Sequence, residues 1–164
     1  MIQRLQTLFF IGVIVSQATL FFINLGSINS FEASYNFSLS GFQRLESAGE
    51  LALPGSNSIW GVVLNSVICV FTAYIIFQFK NRNLQTKLAG FNMVLLCGFI
   101  ALVFFQFEDM RTVVFERHSE QADKLSVMYG LGMILPLLSL IMNGLAIRGI
   151  RKDEALVRSA DRIR

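Results

Sequence analysis

Charge is absent from four long stretches of this chain. Residues 5–25, 59–79, 88–107 and 125–147 hold no Asp, Glu, Lys or Arg. All 14 basic and 11 acidic side chains of the 164-residue sequence lie between or beyond them. A surface helix of a soluble protein keeps charge on its outer face, and these stretches have none to keep. Each is about the 20 residues that a helix needs to cross a hydrocarbon core of about 30 Å. The composition agrees, at 54% hydrophobic with a mean hydropathy of +0.57. The chain therefore reads as a small polytopic membrane protein. The same absence narrows the function. Proton- or sodium-coupled transporters and voltage sensors need ionisable groups inside the membrane, and these spans offer none.

Other chemistry is also scarce. The two cysteines, Cys69 and Cys97, both fall inside spans, so no disulfide framework is expected in the segments between spans. Counted from Lys80 and Lys87 they lie at similar depth on neighbouring helices, about 15 Å from the helix ends, and simple packing is their expected role. The lone histidine, His118, sits among Glu116, Glu120 and Asp123. One histidine with scattered carboxylates is an ordinary solvated surface, so no metal is expected. No Gly-rich phosphate loop, nucleophile elbow or H-E-x-x-H motif occurs. Glu108, Asp109, Arg111 and His118 form the single cluster that could serve surface chemistry. No catalysis, cofactor or nucleic-acid partner is expected.

What is present is a strong asymmetry. One set of connections carries Arg4, Lys80, Arg82, Lys87, Arg148, Arg151, Lys152, Arg158, Arg162 and Arg164 against three acids, Asp153, Glu154 and Asp161. The other set carries Arg44, Arg111, Arg117 and Lys124 against eight acids. Basic residues stay cytoplasmic, so both termini and the link around residues 80–87 are predicted there. Residues 26–58 and 108–124 face outward. The first span is expected to be a retained signal-anchor, because it stays apolar past the small-residue triplet Ser16-Gln17-Ala18.

The loop at 26–58 carries a period of two. Phe31, Ala33, Tyr35, Phe37 and Leu39 alternate with polar residues, which predicts a half-buried strand. Gly41 ends it, and a second strand is expected near 42–45. Residues 46–58 contain Gly49, Pro54, Gly55 and Asn57 and read as loop. Thr112-Val113-Val114-Phe115 is β-branched and is expected to add a strand. Trp60 marks an interface anchor at the start of the second span. Pro136 is expected to kink the fourth span near its middle. Residues 148–164 are read as a helix leaving that span.

Uncharged polar residues do occur inside the spans. Gln17, Asn65, Asn92 and Asn143, with Ser66, Thr72 and Ser139, suit hydrogen bonds between helices. A polar path is the sharper alternative. Gly12 and Ser16 form a small-xxx-small pair suited to close packing. The basic set Lys80, Arg82, Lys87, Arg148, Arg151, Lys152, Arg158 and Arg162 can contact anionic headgroups or a cytoplasmic partner.

The opening Met1-Ile2-Gln3-Arg4-Leu5-Gln6-Thr7-Leu8, the link Lys80-Asn81-Arg82-Asn83-Leu84-Gln85 with Asn92, and the closing run from Lys152 to Arg162 carry a resemblance. Across essentially its whole length the chain resembles a family of small four-span membrane proteins of Bacteroidota, described only as domain of unknown function 4293. The resemblance implies an inner-membrane location and carries no activity and no site residues. In layout alone the chain is similar to the claudin-like plan, without the paired cysteines of that plan's first loop.

The expected architecture is thus an all-α membrane domain over residues 1–164. Four transmembrane helices form a bundle, with a small outer β-sheet holding Phe31, Tyr35, Phe37 and Leu39 and a tail at 148–164. The expected function is a membrane scaffold or accessory subunit that binds a protein partner or its own copies in the bilayer. The alternative is a small passive channel or transporter lined by Asn65, Asn92 and Asn143.

Overall fold

The protein is described by a computed structural model covering residues 3–29, 34–46, 49–57, 59–79, 81–117 and 126–161. Helix α1 runs Gln3–Thr19. The apolar sequence continues to Leu25, but the helix does not. Leu20, Phe21 and Phe22 donate to the carbonyls three residues back, which tightens the chain into turns. Leu25 then donates to the Phe37 carbonyl at 2.7 Å, and Gly26–Asn29 becomes strand β1. The span read at 5–25 is therefore shorter as a helix. Gly26 permits this turn into the sheet, since a Cβ there would lie 2.7 Å from the Phe107 ring.

Helix α2, Ile59–Phe77, ends within two residues of its expected limit. Helix α3, Arg82–Arg117, is 36 residues long, about 54 Å by helical rise. It overturns the strand expected at 112–115. Val103, Phe107, Met110 and Val114 recur at spacings of four, three and four, and all four are buried. A helical stripe that buries its apolar face prevails over the β-propensity of four residues.

The expected fourth span divides in two. Ser126–Tyr129 is strand β5, Leu131–Met133 is one 3-10 turn, and helix α4 runs Ile134–Asp161. Pro136 therefore lies in the first turn of α4, where its missing N–H would have had no helical partner. The kink expected at mid-span has no cause there. Gly130 and Gly132 press on the backbone of Asn24 and Leu25; an added Cβ would stand 2.9 and 2.8 Å from the Asn24 carbonyl oxygen. The Gly130 N–H donates to the Leu25 carbonyl at 2.9 Å, closing this crossing.

Strands β2 (Ser34–Ser38), β3 (Gly41–Glu46) and β4 (Gly49–Asn57) complete a five-stranded antiparallel sheet of order β4-β3-β2-β1-β5. The alternation in β2 appears as read, with Tyr35 and Phe37 buried and their neighbours half-exposed. Gly41, at φ 128°, takes a conformation that side-chain-bearing residues rarely adopt, directly after the β2–β3 turn. The loop expected at 46–58 is corrected: most of it is β4. Pro54 and Gly55 fall where the ladder advances from Gln43 to Gly41 on β3 and from Ala52 to Asn57 on β4. A bulge on an edge strand is where proline is tolerated. Phe31 lies outside the described residues.

The helices pack in a ring, α1 on α4 and α2, and α3 on α2 and α4. Gly12 faces Met142 and the Ser16 and Ser139 hydroxyls bond to each other, so the expected small-residue pair lies on α4. Buried apolar residues fall into two clusters. One joins the sheet (Ile28, Tyr35, Phe37, Leu39) to α2 and α3 through Ile68, Leu96, Phe99, Phe107 and Val114. The Phe37 and Phe107 ring centroids stand 5.7 Å apart within it. The other holds Phe10, Ile75, Ala89, Ala146, Ile147 and Ile150, from helices alone.

The exterior is apolar as well. Leu5, Leu8, Ile11 and Val15 on α1, Val63, Val67, Val70 and Tyr74 on α2, and Ile134, Leu138, Ile141 and Leu145 on α4 are exposed. An apolar exterior, with the few buried polar groups turned inward, is the arrangement of helices surrounded by lipid. Among the described residues three segments, Ile59–Phe77, Arg82–Glu116 and Leu131–Val157, are long and apolar enough to cross a membrane, and the apolar part of α1, Leu5–Thr19, is shorter.

Candidate functional site

Between the two apolar clusters lies a polar layer. On α2 the order is Ile68, Thr72, Ile75; on α3 it is Leu96, Asn92, Ala89; on α4 Asn143 precedes Ala146. Each helix thus turns one polar side chain inward at the same level. The Asn92 Nδ2 donates to Thr72 Oγ1 at 3.1 Å and to Asn143 Oδ1 at 3.3 Å. The Asn143 Nδ2 donates to the Ala89 carbonyl at 2.9 Å, and the Thr72 hydroxyl to the Ile68 carbonyl at 2.7 Å. All three side chains are fully buried. Three helices are tied together at one depth.

A second tie lies nearer the sheet. The Asn65 Nδ2 donates to the Gln17 carbonyl at 3.0 Å, joining α2 to α1. The Gln17 side chain is itself fully buried, and neither its Nε2 nor its Oε1 has a protein partner. Asn65 Oδ1 and Asn92 Oδ1 are likewise unpartnered. Native interiors leave few such atoms, because each costs about 1–3 kcal/mol.

The third tie is at the opposite end. The Gln6 Nε2 donates to Asp153 Oδ2 at 2.8 Å, and both side chains are buried. Gly149, one turn earlier on α4, leaves room for the Gln6 stem, which an added Cβ would meet at 3.2 Å. Asp153 is the one charged side chain buried among the described residues. The signal was periodicity: Asn143, Ala146, Ile150 and Asp153 form one helical stripe. Gln85, read as part of the link, is also buried and donates to the Ile75 carbonyl at 3.2 Å.

At this same end the start of α3 and the extension of α4 flank an open cavity of about 560 Å³. Asn81, Arg82, Asn83, Leu84, Lys87 and Glu154 line it. The link and the tail therefore share one surface. Among the described residues, neither Arg82 nor Lys87 has a carboxylate within ion-pairing distance. Arg148, Arg151 and Lys152 are exposed on α4 beyond this cavity's lining. Lys80 and Arg162 lie outside the described residues. So does the side chain of Arg158, whose backbone is in α4.

Other expected sites are distributed. Trp60 is 70% exposed at the start of α2, on the apolar exterior near the sheet. Tyr35, Phe37 and Leu39 are buried beneath the sheet and serve its packing, so they leave no apolar face of their own for a partner. The Cys69 thiol is half-buried and the Cys97 thiol exposed, and both are free. The Arg111 guanidinium meets Glu108 at 3.4 Å and lies over the Phe115 ring at 5.5 Å. His118 lies outside the described residues. Among the described residues no three His, Cys, Asp or Glu side chains gather to hold a metal.

A family model matches residues 2–163, nearly the whole chain. The chain belongs to the family described as Domain of unknown function (DUF4293). The DUF4293 match thus takes in the sheet, the polar layer and the basic end together. No curated protein matches the chain.

Proposed function

We propose that this DUF4293 protein is a four-span membrane scaffold or accessory subunit that works through protein contacts. Both termini and the 80–87 connection lie in the cytoplasm, the sheet lies outside, and the membrane is the inner membrane. The charge asymmetry supports that orientation. α1 serves as the fourth span: its 17 residues are at the lower limit for a crossing, and the apolar turn from Leu20 to Ile23 extends them.

One observation carries the scaffold reading. Four polar side chains of the bundle interior, Asn92, Thr72, Asn143 and Asn65, bond one another or backbone across helices. That supports rigidity over chemistry. Elaboration is found at the two ends instead, in a five-stranded sheet and in an α4 that runs about 20 Å past its last apolar residue of the charge-free stretch. Crosslinking in the native membrane followed by mass spectrometry is the test. Photo-crosslinkers at Gln43 and Leu156 are expected to capture the same protein partner repeatedly. Gentle purification that yields only monomer, with no crosslinked species, would sink the reading.

The orphaned amide atoms of Gln17, Asn65 and Asn92 favour a second reading, a passive polar path. It requires solute flux in proteoliposomes that Asn92→Leu abolishes.

A further inference from the structure

The cavity at the basic end has a chemistry that the scaffold reading does not use, and it stands whether or not a protein partner exists. Its lining holds two cations, Arg82 and Lys87, and one carboxylate, Glu154. The lining is thus short of one negative charge, and neither cation has an ion-pair partner among the described residues. Asn81 and Asn83 add amide groups that can donate.

Depth selects among anions. Lys87 directly precedes the charge-free stretch 88–107, so its ammonium stands at the boundary between apolar helix and water. Arg82 is half-buried one and a half turns earlier on the same helix. Leu84, 41% exposed, gives the cavity an apolar wall. A freely soluble anion has no use for that wall or that depth. A lipid phosphodiester has both needs, because its single charge sits at the headgroup level with apolar chains beside it. Guanidinium binds phosphate through paired N–H groups, and ammonium serves as a point charge.

We propose that this cavity binds the phosphodiester headgroup of an anionic phospholipid, held between Arg82 and Lys87. Glu154 restricts the site to one negative charge and disfavours phosphomonoester dianions. Arg151 and Lys152 belong to the general basic surface and are not part of the site.

The test uses the full chain in detergent, titrated with phosphatidylglycerol or phosphatidylcholine and read by native mass spectrometry. Phosphatidylglycerol is expected to bind at least tenfold more tightly than phosphatidylcholine. The pair Arg82→Gln/Lys87→Gln is expected to lose that preference, falling about tenfold. Arg151→Gln/Lys152→Gln, which removes the same charge outside the cavity, is expected to change affinity less than twofold. Arg82→Lys/Lys87→Arg keeps both charges and is expected to keep binding, which separates recognition from a folding defect. Equal losses in the two glutamine pairs would overturn the proposal in favour of diffuse surface charge. So would equal binding of the two lipids. Complete displacement by millimolar inorganic phosphate would overturn the lipid as the source of the anion.

Discussion

The two apolar clusters are separated by one layer of amides, and they are built on different terms. The cluster beneath the sheet mixes strands with helices and holds four buried rings, Tyr35, Phe37, Phe99 and Phe107, among its aliphatic residues. The other cluster is helical only, holds small and aliphatic residues besides Phe10, and is bordered by polar ties at Gln85 and at Gln6–Asp153. The difference follows from the surroundings. If the sheet stands outside the bilayer, as proposed above, it is stabilised by removing apolar area from water, about 25 cal/mol per Å². Helices in lipid gain little that way, and their association rests on close packing and hydrogen bonds. One chain thus uses two kinds of cohesion, and the amide layer marks where one replaces the other.

Three changes test that division. Phe107→Ala should act most strongly. Phe107 is fully buried and touches both Phe37 and Tyr129, at 5.7 and 5.2 Å between ring centroids. Truncating such a ring costs about 3–5 kcal/mol. Hydrogen exchange should rise throughout β1, β2 and β5 while Ala89 and Ile150 stay protected. Equal deprotection of both clusters would show that they are one cooperative unit.

Asp153→Ala should come second, at about 1.5–3 kcal/mol, because it leaves the buried Gln6 amide without its charged acceptor. Asp153→Asn can still accept that bond and should lose less than half as much. Unfolding in detergent, followed by circular dichroism, reads both. A sheet that melts first in Asp153→Ala would contradict the separation.

Asn92→Leu should be mildest, at about 1 kcal/mol. It removes two interhelical bonds, each worth roughly 0.6 kcal/mol in a membrane bundle, and also removes the unpartnered Oδ1. Its distinctive effect should be on cooperativity, merging the two clusters into a single melting step. An unchanged transition width would mean that the layer divides nothing.

How much of this was legible in the sequence depended on the length of the pattern. The alternation through Tyr35, Phe37 and Leu39 announced β2 and its buried face. Three of the helices, and the inward amides Asn65, Asn92 and Asn143, followed from charge-free runs with isolated polar residues. Two of the failures share one physical cause: an apolar run does not say whether its backbone is helix or strand. Leu20–Leu25 and Ser126–Tyr129 are as apolar as the helices beside them, yet one turns and the other pairs with β1. β4 was hidden by Pro54 and Gly55, which mark a loop in isolation and a bulge when a partner strand is present. Asp153 was hidden because charge in a tail reads as solvated until the opposite helix supplies Gln6.

The position of β5 has a consequence for biosynthesis. Strands β1 to β4 come from residues 26–57, yet β1 receives its second neighbour only from residues 126–129. Until the ribosome has delivered α2 and α3, the β1 edge stands open, available to any other extended chain. The turn through Gly130 and Gly132 then sets β5 in place just before α4 begins. Completion of the sheet therefore reports that α2 and α3 have been delivered, and a chain arrested before residue 126 keeps that edge open.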